Sequence, residues 1–584
     1  MIDVDALLRV YLPNLDESNK SLVKAATSIL KKLLHQDEIN HFIQTNQHLE
    51  GLEFNDAVLE HLKFTFRVSN KDRSKIPDQG RVIIVANHPL GSLDGLALLK
   101  LVSEIRVDVR IVATTLLTHI DPLKNLFHSV DNMPKKAGHL KSMRQIVGAL
   151  ESEQAVIIFP TGEVSRIRPH GVRDGKWKTG FLYLAKKTRA PIVPVHIQGR
   201  NSALFYGLSS VYKPFGTMML VNEMLNKQDS EISFRVGRPI PWESIDALDM
   251  TKSAIAKRMR KQVYLLGKNK KEELFKPVEN IIHPVAAKLI RKELRASQLI
   301  GETQDGMKIY LFDYLSNSSV MREIGRLREL SFRQAQEGTG NALDIDSYDR
   351  YYRHLILWDE NELEIVGSYR IGEAGKILKE KGEAGLYTHS LFKFDKAFTP
   401  YLENAIELGR SFIQPRYQGK RSLDYLWYGI GAYLQQHPHI RYMFGPVSLS
   451  TSYPEPARAL IASFYTELFG SDNNLAAARL PFHFMPSKEF TAFKGVTDED
   501  DYKRAYAILK DKLAEFGVRV PILYKQYVEV CQPGGCEFLG FNIDPDFSHC
   551  VDALIFMHMD TIKRKKRERY IESHVPESEN LDAA

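Results

Sequence analysis

Apolar positions along the 584-residue chain fall into two alternating rhythms. Short runs rich in apolar residues, at 82–86, 107–113, 155–159 and 192–197, have the length of buried strands. Between them, 96–102, 141–150 and 181–187 carry apolar residues at helical spacing. The alternation predicts an α/β layer built on a mostly parallel sheet. Upstream, Leu22, Ala25, Ile29, Leu30 and Leu33 recur at helical spacing and predict a helix over 21–34. Near 266–301 the chain turns charged, with Lys268, Lys270 and Lys271, and a Lys/Arg-rich helix is predicted over 284–297. That stretch reads as an inter-domain connection. A second α/β pattern starts near Met307, with a helix at 320–333, strands at 354–358 and 364–371, a further helix at 423–435, and apolar segments at 405–412 and 442–447. The expected organisation is therefore a helical segment over 1–75, an α/β domain over 76–265, a linker helix over 266–300 and a second α/β domain over 301–584. No internal repeat or low-complexity block interrupts it.

Composition narrows the class. With 43% hydrophobic and 26% charged residues, the chain has the make-up of a globular protein. Three cysteines, Cys531, Cys536 and Cys550, are too few for a disulfide framework and suggest a reducing compartment. A zinc site would want a fourth ligand and tighter spacing, so no metal is expected. Asp3 and Asp5 sit where a signal peptide would be basic, and no apolar run approaches the ~18 residues of a bilayer span. The net charge of +7 suits an anionic membrane surface, a nucleic acid or an acidic protein partner. The run 563–569, six basic residues and one acidic, is either a membrane-binding patch or a solvated helix end.

The first chemical constellation is Asn87-His88-Pro89-Leu90-Gly91-Ser92-Leu93-Asp94-Gly95, between an apolar strand and an apolar helix. A neutral imidazole can take the proton of a hydroxyl as it attacks a thioester, while a carboxylate orients the ring and stabilises the imidazolium. The alternative use is local, His88 in a turn and Asp94 capping the helix. Three later features weigh on the choice: the loop Phe159-Pro160-Thr161-Gly162-Glu163-Val164-Ser165-Arg166, the segment from Gly175 to Gly180 with Lys176 and Lys178, and the strand Pro191-Ile192-Val193-Pro194-Val195-His196. In this order they resemble the glycerophospholipid acyltransferases, whose motifs are His-x4-Asp, Phe-Pro-Glu-Gly-Thr-Arg and Pro-Ile-Val-Pro-Val. Here five residues separate His88 from Asp94, and Thr161 stands where the second motif has its acidic residue, which resembles the hemolysin-like branch. The resemblance covers about 80–200. It implies His88 as base and Asp94 as its partner, with Glu163 and Arg166 binding the acceptor's head group.

The second constellation comprises Arg328 and Phe332 on one helix face, the run Leu343-Asp344-Ile345-Asp346-Ser347-Tyr348-Asp349, Val366-Gly367-Ser368-Tyr369-Arg370, and Glu407-Leu408-Gly409-Arg410. Singly these read as salt-bridging residues. Together, Arg328, Phe332, Asp346, Asp349, Arg370, Glu407 and Arg410 match motif positions of the acyl-homoserine-lactone synthases and ornithine lipid N-acyltransferases, both with a GNAT-like fold. The segments 415–419 and 444–449 look more like the lipid enzymes. The chemistry implied is aminolysis of an acyl thioester. Glu407 is then the candidate proton acceptor, and Arg370 and Arg410 hold the amino acid's carboxylate or order the acidic side chains.

The two halves in this order resemble the bifunctional ornithine lipid synthases: a glycerolipid-acyltransferase α/β domain followed by a GNAT-like α/β domain. The resemblance implies that the C-terminal half N-acylates ornithine, or another amino acid, with a 3-hydroxyacyl group. The N-terminal half then esterifies the new 3-hydroxyl. Acyl-acyl carrier protein would be the donor substrate, its acidic surface suiting a basic enzyme. No cofactor and no nucleic acid are expected, and a cytoplasmic enzyme held peripherally at the inner membrane is implied. Three other readings stay open. A signal synthase leaves the first half unused, a lysophospholipid acyltransferase has a degenerate C-terminal domain, and a lipid-binding protein is non-catalytic.

Overall fold

The computed structural model describes residues 35–574 apart from 114–119, 130–135, 170, 212–219, 221, 269, 271 and 495–497; the helix expected over 21–34 lies outside them. The chain divides into two compact units, Met1–Asn280 and Ile281–Ala584.

The strands of the first unit are β1 (Thr65–Arg67), β2 (Val82–Ala86), β3 (Val109–Ala113), β4 (Phe127–Ser129), β5 (Ala155–Ile158), the pair β6 (Arg166–Arg168) and β7 (Gly171–Arg173), β8 (Ile192–Gln198) and β9 (Glu231–Val236). Seven of them form one sheet in the order β1-β9-β8-β2-β5-β3-β4, and β6 and β7 make a separate hairpin. From β8 to β4 the neighbours run parallel, while β9 lies antiparallel on β8. The β2 run is apolar throughout because both its faces are covered. Val82, Ile84 and Ala86 pack with Leu93, Ala97 and Leu101 of the helix Ser92–Ser103. Ile83 and Val85 point the other way, toward Phe181 and toward Ile255, Met259 and Val263 of the helix Lys252–Gly267.

The second unit contains β10 (Gln298–Glu302), β11 (Lys308–Asp313), β12 (Arg353–Asp359), β13 (Glu364–Glu373), β14 (Phe392–Phe394), β15 (Ala405–Ile413), β16 (Tyr442–Leu449), β17 (Ala476–Ala478), β18 (Cys536–Asp544) and β19 (Cys550–His558). Eight form a sheet in the order β10-β11-β12-β13-β15-β16-β19-β18. Every neighbour pair is antiparallel except β15 and β16. Their parallel pairing covers only Ala405–Glu407 against Tyr442–Phe444. Beyond it, β15 continues along β13 and β16 along β19, so the sheet is split between them. One face of the sheet, with Leu355 and Leu357, packs on the helix Ser422–Gln436. The other, with Ile356 and Trp358, packs on the helix Ser319–Gln334.

Three expectations change. The helix expected as a linker is Ala287–Arg295, and it belongs to the second unit. Ile290 and Leu294 are buried with Ile324 and Leu327, and its Glu293 accepts hydrogen bonds from Ser318 Oγ (2.6 Å), Ser319 N (2.8 Å) and Val320 N (3.0 Å), capping the next helix. The second sheet begins at Gln298, not near Met307, and Gly301 lies inside its first strand. The long hairpin of β18 and β19 was not predicted; it closes the sheet beyond the split.

Among the described residues no helix is long and apolar enough to cross a membrane. The basic run forms the short helix Arg564–Tyr570, anchored by buried Tyr570. Much of its charge is engaged within the protein: Arg564 with Glu568, Arg569 with Asp424, and Arg567 with the Met559 carbonyl.

A chain cut between Asn280 and Ile281 is expected to give two soluble pieces with cooperative thermal transitions. A cut at Gly301 should leave the second piece unfolded, because it removes the Glu293 cap and most of β10. Circular dichroism melts of the four fragments check this.

Candidate active sites

In the first unit, the chain leaves β2 through Asn87, whose amide behaves as an extra peptide group. Its Nδ2 donates to Ile197 O (2.9 Å) and its Oδ1 accepts from Ile197 N (2.7 Å). This carries the pairing of β2 with β8 one residue past the strand and presents His88 at the strand's C-terminal end. His88 Nδ1 lies 3.1 Å from Asp94 Oδ2. The same oxygen accepts the backbone N–H groups of Leu90 (2.7 Å) and Gly91 (3.1 Å). Both uses foreseen for Asp94 are thus realised at once: it orients the ring and ties the turn. The turn needs Gly91, whose φ of +91° is outside the range of other residues.

Asp94 is fully buried, while the His88 side chain keeps 19% exposure. Burial pushes the Asp94 carboxyl up, against the opposing pull of His88 and the two N–H groups. An oxygen that takes two N–H donors is an acceptor, so Nδ1 carries the imidazole proton and Nε2 is left with its lone pair. Phe159 stacks on the ring at 4.1 Å between centroids and 24° between planes, fixing its tilt.

The loop expected to meet the acceptor lies beside this pair. Ser165 N donates to His88 O at 2.7 Å. Glu163 and Arg166 face one another, Oε2 to Nε 3.9 Å, at the foot of the β6–β7 hairpin. Gly162 (φ +67°) lets Lys178 lie across the loop, since a Cβ there would meet its Nζ at 2.8 Å. The His88–Asp94 pair, the Glu163–Arg166 loop and the lysine segment are therefore brought together.

In the second unit the motif residues form a buried array of alternating charge. Arg328 Nη1 donates to Asp349 Oδ1 (2.8 Å), and Arg370 Nη1 donates to both oxygens of Asp346 (2.7 Å each) and to Asp349 Oδ1 (3.3 Å). Arg410 reaches Asp344 (Nε to Oδ2 3.4 Å), Asp346 (Nη2 to Oδ2 3.5 Å) and the Tyr387 hydroxyl (Nη1 3.1 Å). The rings of Tyr348, Tyr352 and Tyr387 surround the Arg370 guanidinium at 5.0–5.7 Å. His354, beside Arg328, is pushed down to about 4, first by burial and then by that cation, so it is neutral. Burial works to raise Asp349, but Arg328 and Arg370 outweigh it and hold its carboxyl well below the usual range.

Arg410 sits in a β-bulge: Ser368 faces Phe412 and Arg370 faces Gly409, so β15 has one residue more than β13 there. Its φ is +50°. The bulge turns the guanidinium toward Asp344 and Asp346 and takes backbone groups of β15 out of the ladder, next to the split between β15 and β16.

Several expected roles are redrawn by burial. Arg328 and Asp349 have no exposed surface and pair with each other inside the array. Phe332 is a core residue whose ring meets Phe547, 5.0 Å away, on which Arg410 also rests. Glu407, expected as the proton acceptor, is enclosed. Its Oε1 accepts Thr388 N and Thr388 Oγ1 (2.5 Å each), and its Oε2 accepts the Tyr352 hydroxyl and Tyr387 N. Burial pushes its carboxyl up, against the Thr388 hydroxyl and amide, the Tyr352 hydroxyl and the Arg370 charge.

The carboxylates outside that cage are ones the sequence reading missed. Asp552 on β19 is buried and accepts Ser448 Oγ at 2.6 Å through Oδ1; burial pushes it up to about 6. Glu337 follows the helix that carries Arg328; burial, then the Asp552 charge, push it up to about 8. Asp544 accepts the Tyr387 hydroxyl at 3.4 Å. Asp344 stood inside a quoted run and was passed over; Glu337 and Asp552 lie in no motif.

A helix-flanked parallel sheet with a His–Asp pair at a strand end, and a split mixed sheet with a charged array at the split, define a two-domain acyltransferase. The family comparisons agree. Residues 12–277 match the model of an acyltransferase family, and residues 327–428 match an acetyltransferase (GNAT) domain. A glycine N(alpha)-acyltransferase of Phocaeicola vulgatus is 32% identical over 311 residues, 51% of this chain and 94% of the relative. A lyso-glycine lipid O-acyltransferase of Bacteroides thetaiotaomicron is 33% identical over 253 residues, 42% of this chain and 90% of the relative. An L-ornithine N(alpha)-acyltransferase of Brucella abortus is 35% identical over 130 residues, 21% of this chain and 43% of the relative. The chain belongs to the family of these N- and O-acyltransferases and carries both kinds of domain in one polypeptide.

Removing Asp349 takes the carboxylate partner from the buried Arg328 guanidinium and one of two from Arg370. Asp349→Ala is expected to destabilise the second unit by about 3–5 kcal/mol, read from urea melts at pH 7. A carboxyl lowered in the native state stabilises fully above its unfolded value of about 3.9 and progressively less as pH falls through and below it. The difference between variant and parent should therefore shrink at pH 3.

Proposed function

We propose that the chain makes an acyloxyacyl amino-acid lipid in two acyl transfers. The observation that supports this reading is the occurrence in one polypeptide of two separate constellations, a partly exposed imidazole on a buried carboxylate and a buried array of alternating charge.

In the first step the α-amine of an amino acid attacks the thioester carbonyl of a 3-hydroxyacyl donor. The C–N bond forms, the C–S bond breaks, and the thiolate leaves. Arg410 and Arg370 order the carboxylates around the site, and Arg410 receives the amino acid's carboxylate by its fork geometry. The bulged backbone of β15 supplies N–H groups for the developing oxyanion. The ammonium proton passes to Asp552, with Glu337 beside it, because both lie outside the donor cage that encloses Glu407. Glu407 acts as a positioning residue that ties β15 to the loop at Tyr387 and Thr388.

In the second step the 3-hydroxyl of the one-chain product attacks another acyl thioester. His88 Nε2 takes the hydroxyl proton and returns it to the leaving thiol, while Asp94 holds the imidazolium. Arg166 pairs with the substrate's carboxylate, and Glu163 sets its orientation. Acyl-acyl carrier protein is the proposed donor for both steps, with the enzyme peripheral to the inner membrane of a bacterium. The 32% identity with the glycine-specific relative over 94% of its length makes glycine the first amino acid to assay, with ornithine second.

Radiolabelled amino acid incorporation, with lipids resolved by mass spectrometry, tests the division of labour. His88→Ala should stop esterification and leave the one-chain lipid to accumulate. Arg410→Ala should stop both products, and Asp552→Asn should slow the first step by about 10²-fold. Two-chain lipid at the parent level from the His88 variant would sink the mechanism. Peripheral attachment should be released by high salt, because exposed charge attraction is screened; recovery from membranes only with detergent would contradict it.

A further inference from the structure

His88 is gripped by two buried carboxylates, of which the motif announces one. The second is Asp174, which follows β7 and is fully buried. Its Oδ1 accepts the backbone N–H of His88 at 3.2 Å and the Ser165 hydroxyl at 2.5 Å; its Oδ2 accepts the Trp177 indole N–H at 2.8 Å. Its own N–H donates to the Tyr264 hydroxyl at 2.8 Å. Arg260 donates to the carbonyls of Asp174 (3.2 Å) and Gly175 (2.5 Å). Three donors converge on the carboxyl, and each favours its ionised form. Burial outweighs the three donors and the nearby imidazole, so the carboxyl stays above its usual range.

This carboxylate joins the parts that the second acyl transfer needs. It holds the His88 backbone from one side, while Ser165 N–H holds the His88 carbonyl from the other at 2.7 Å. Through Ser165 it fixes the loop that leads into Arg166, and through Trp177 the segment with Lys176 and Lys178. It contacts the His88 backbone and not the imidazole, so it cannot serve as a second proton acceptor. Its charge nevertheless acts on the nearby imidazole.

We propose that Asp174 is a positioning and charge-tuning residue of the O-acyl transfer: it fixes His88 between the two loops and, together with Asp94, stabilises the imidazolium formed when Nε2 takes the hydroxyl proton. This rests on the assignment of His88 as the base. The other ionisable groups around the ring are Asp94 on the helix Ser92–Ser103, the Glu163–Arg166 pair and Lys178 on the adjoining loops, and Tyr264 and Arg260 on the helix Lys252–Gly267 behind Asp174.

The test uses the full chain, with the one-chain lipid as acceptor, and follows kcat and KM for esterification against pH; N-acylation in the same preparation reports on folding of the other unit. Asp174→Asn keeps the shape and removes the charge. Its kcat should fall about 10–100-fold with KM within about twofold. Loss of a neighbouring negative charge makes the imidazolium more acidic, so the acidic limb of kcat/KM should move to lower pH by about half a unit to one unit. Asp174→Glu keeps the charge, and the limb should return to its parental position even where kcat stays low. Ser165→Ala also keeps the charge and should leave the limb in place. An unmoved limb in Asp174→Asn, or a limb that moves equally in Ser165→Ala, overturns the proposal. Should Asp174→Asn not fold, the decision falls to Asp174→Glu and Ser165→Ala, and a shifted limb in either overturns it. Failure of the underlying assignment looks different: His88→Ala would then still esterify.

Discussion

Taking a carboxylate out of water costs several kcal/mol unless donors surround it, and both sites grow from the way this chain meets that demand. In the first unit Asp94 and Asp174 each collect backbone N–H groups from loops that have no regular pairing of their own. Satisfying the carboxylates fixes the loops, and the loops carry His88, Ser165 and Arg166. In the second unit Asp344, Asp346 and Asp349 are interleaved with Arg328, Arg370 and Arg410, so three charges of each sign cancel within one buried array. Glu407 meets the same demand with hydroxyl and amide donors from Tyr352, Tyr387 and Thr388.

The two solutions leave different chemistry exposed. Donors saturate only one oxygen of Asp94, and they leave the imidazole with a free lone pair beside solvent. Glu407 is saturated on both oxygens, so its contribution is to geometry. Asp552, on β19 opposite Ser448 of β16, lies outside that cage. One sheet thus opens its site at the end of a parallel strand, the other between two strands that part company.

The core of the fold was legible because it depends on period. Strands buried on both faces announce themselves as continuous apolar runs, and β2, β5 and β8 begin at the residues the apolar pattern marks. The His88–Asp94 pairing was legible too, since both residues sit in one short loop whose ends are fixed by a strand and a helix. What could not be read is whatever depends on contacts between distant segments. Asp174 stands 86 residues from the His88 amide it accepts. Asp552 stands 104 residues from Ser448. Neither belongs to a local pattern. Glu407 was noticed for its residue type, but its cage is assembled from two other segments, so its enclosure had no local signature. The helix Ala287–Arg295 misled for a related reason: its charged composition reads as a linker, while its two buried leucine-sized positions and Glu293 bind it to the second core.

Arg410 shows how such a site constrains what sequence drift can accept. A non-glycine residue in the left-handed region carries strain of about 1–3 kcal/mol. Glycine at that position would relax the backbone, yet it would delete the guanidinium that meets Asp344, Asp346 and Tyr387 and leave the buried Asp344 carboxyl without its nearest cation. Asparagine tolerates the same backbone conformation but cannot replace the charge. The charge balance of the array thus holds arginine at a backbone conformation that costs it strain. A screen that selects variants for heat resistance should therefore hold arginine here despite its backbone conformation.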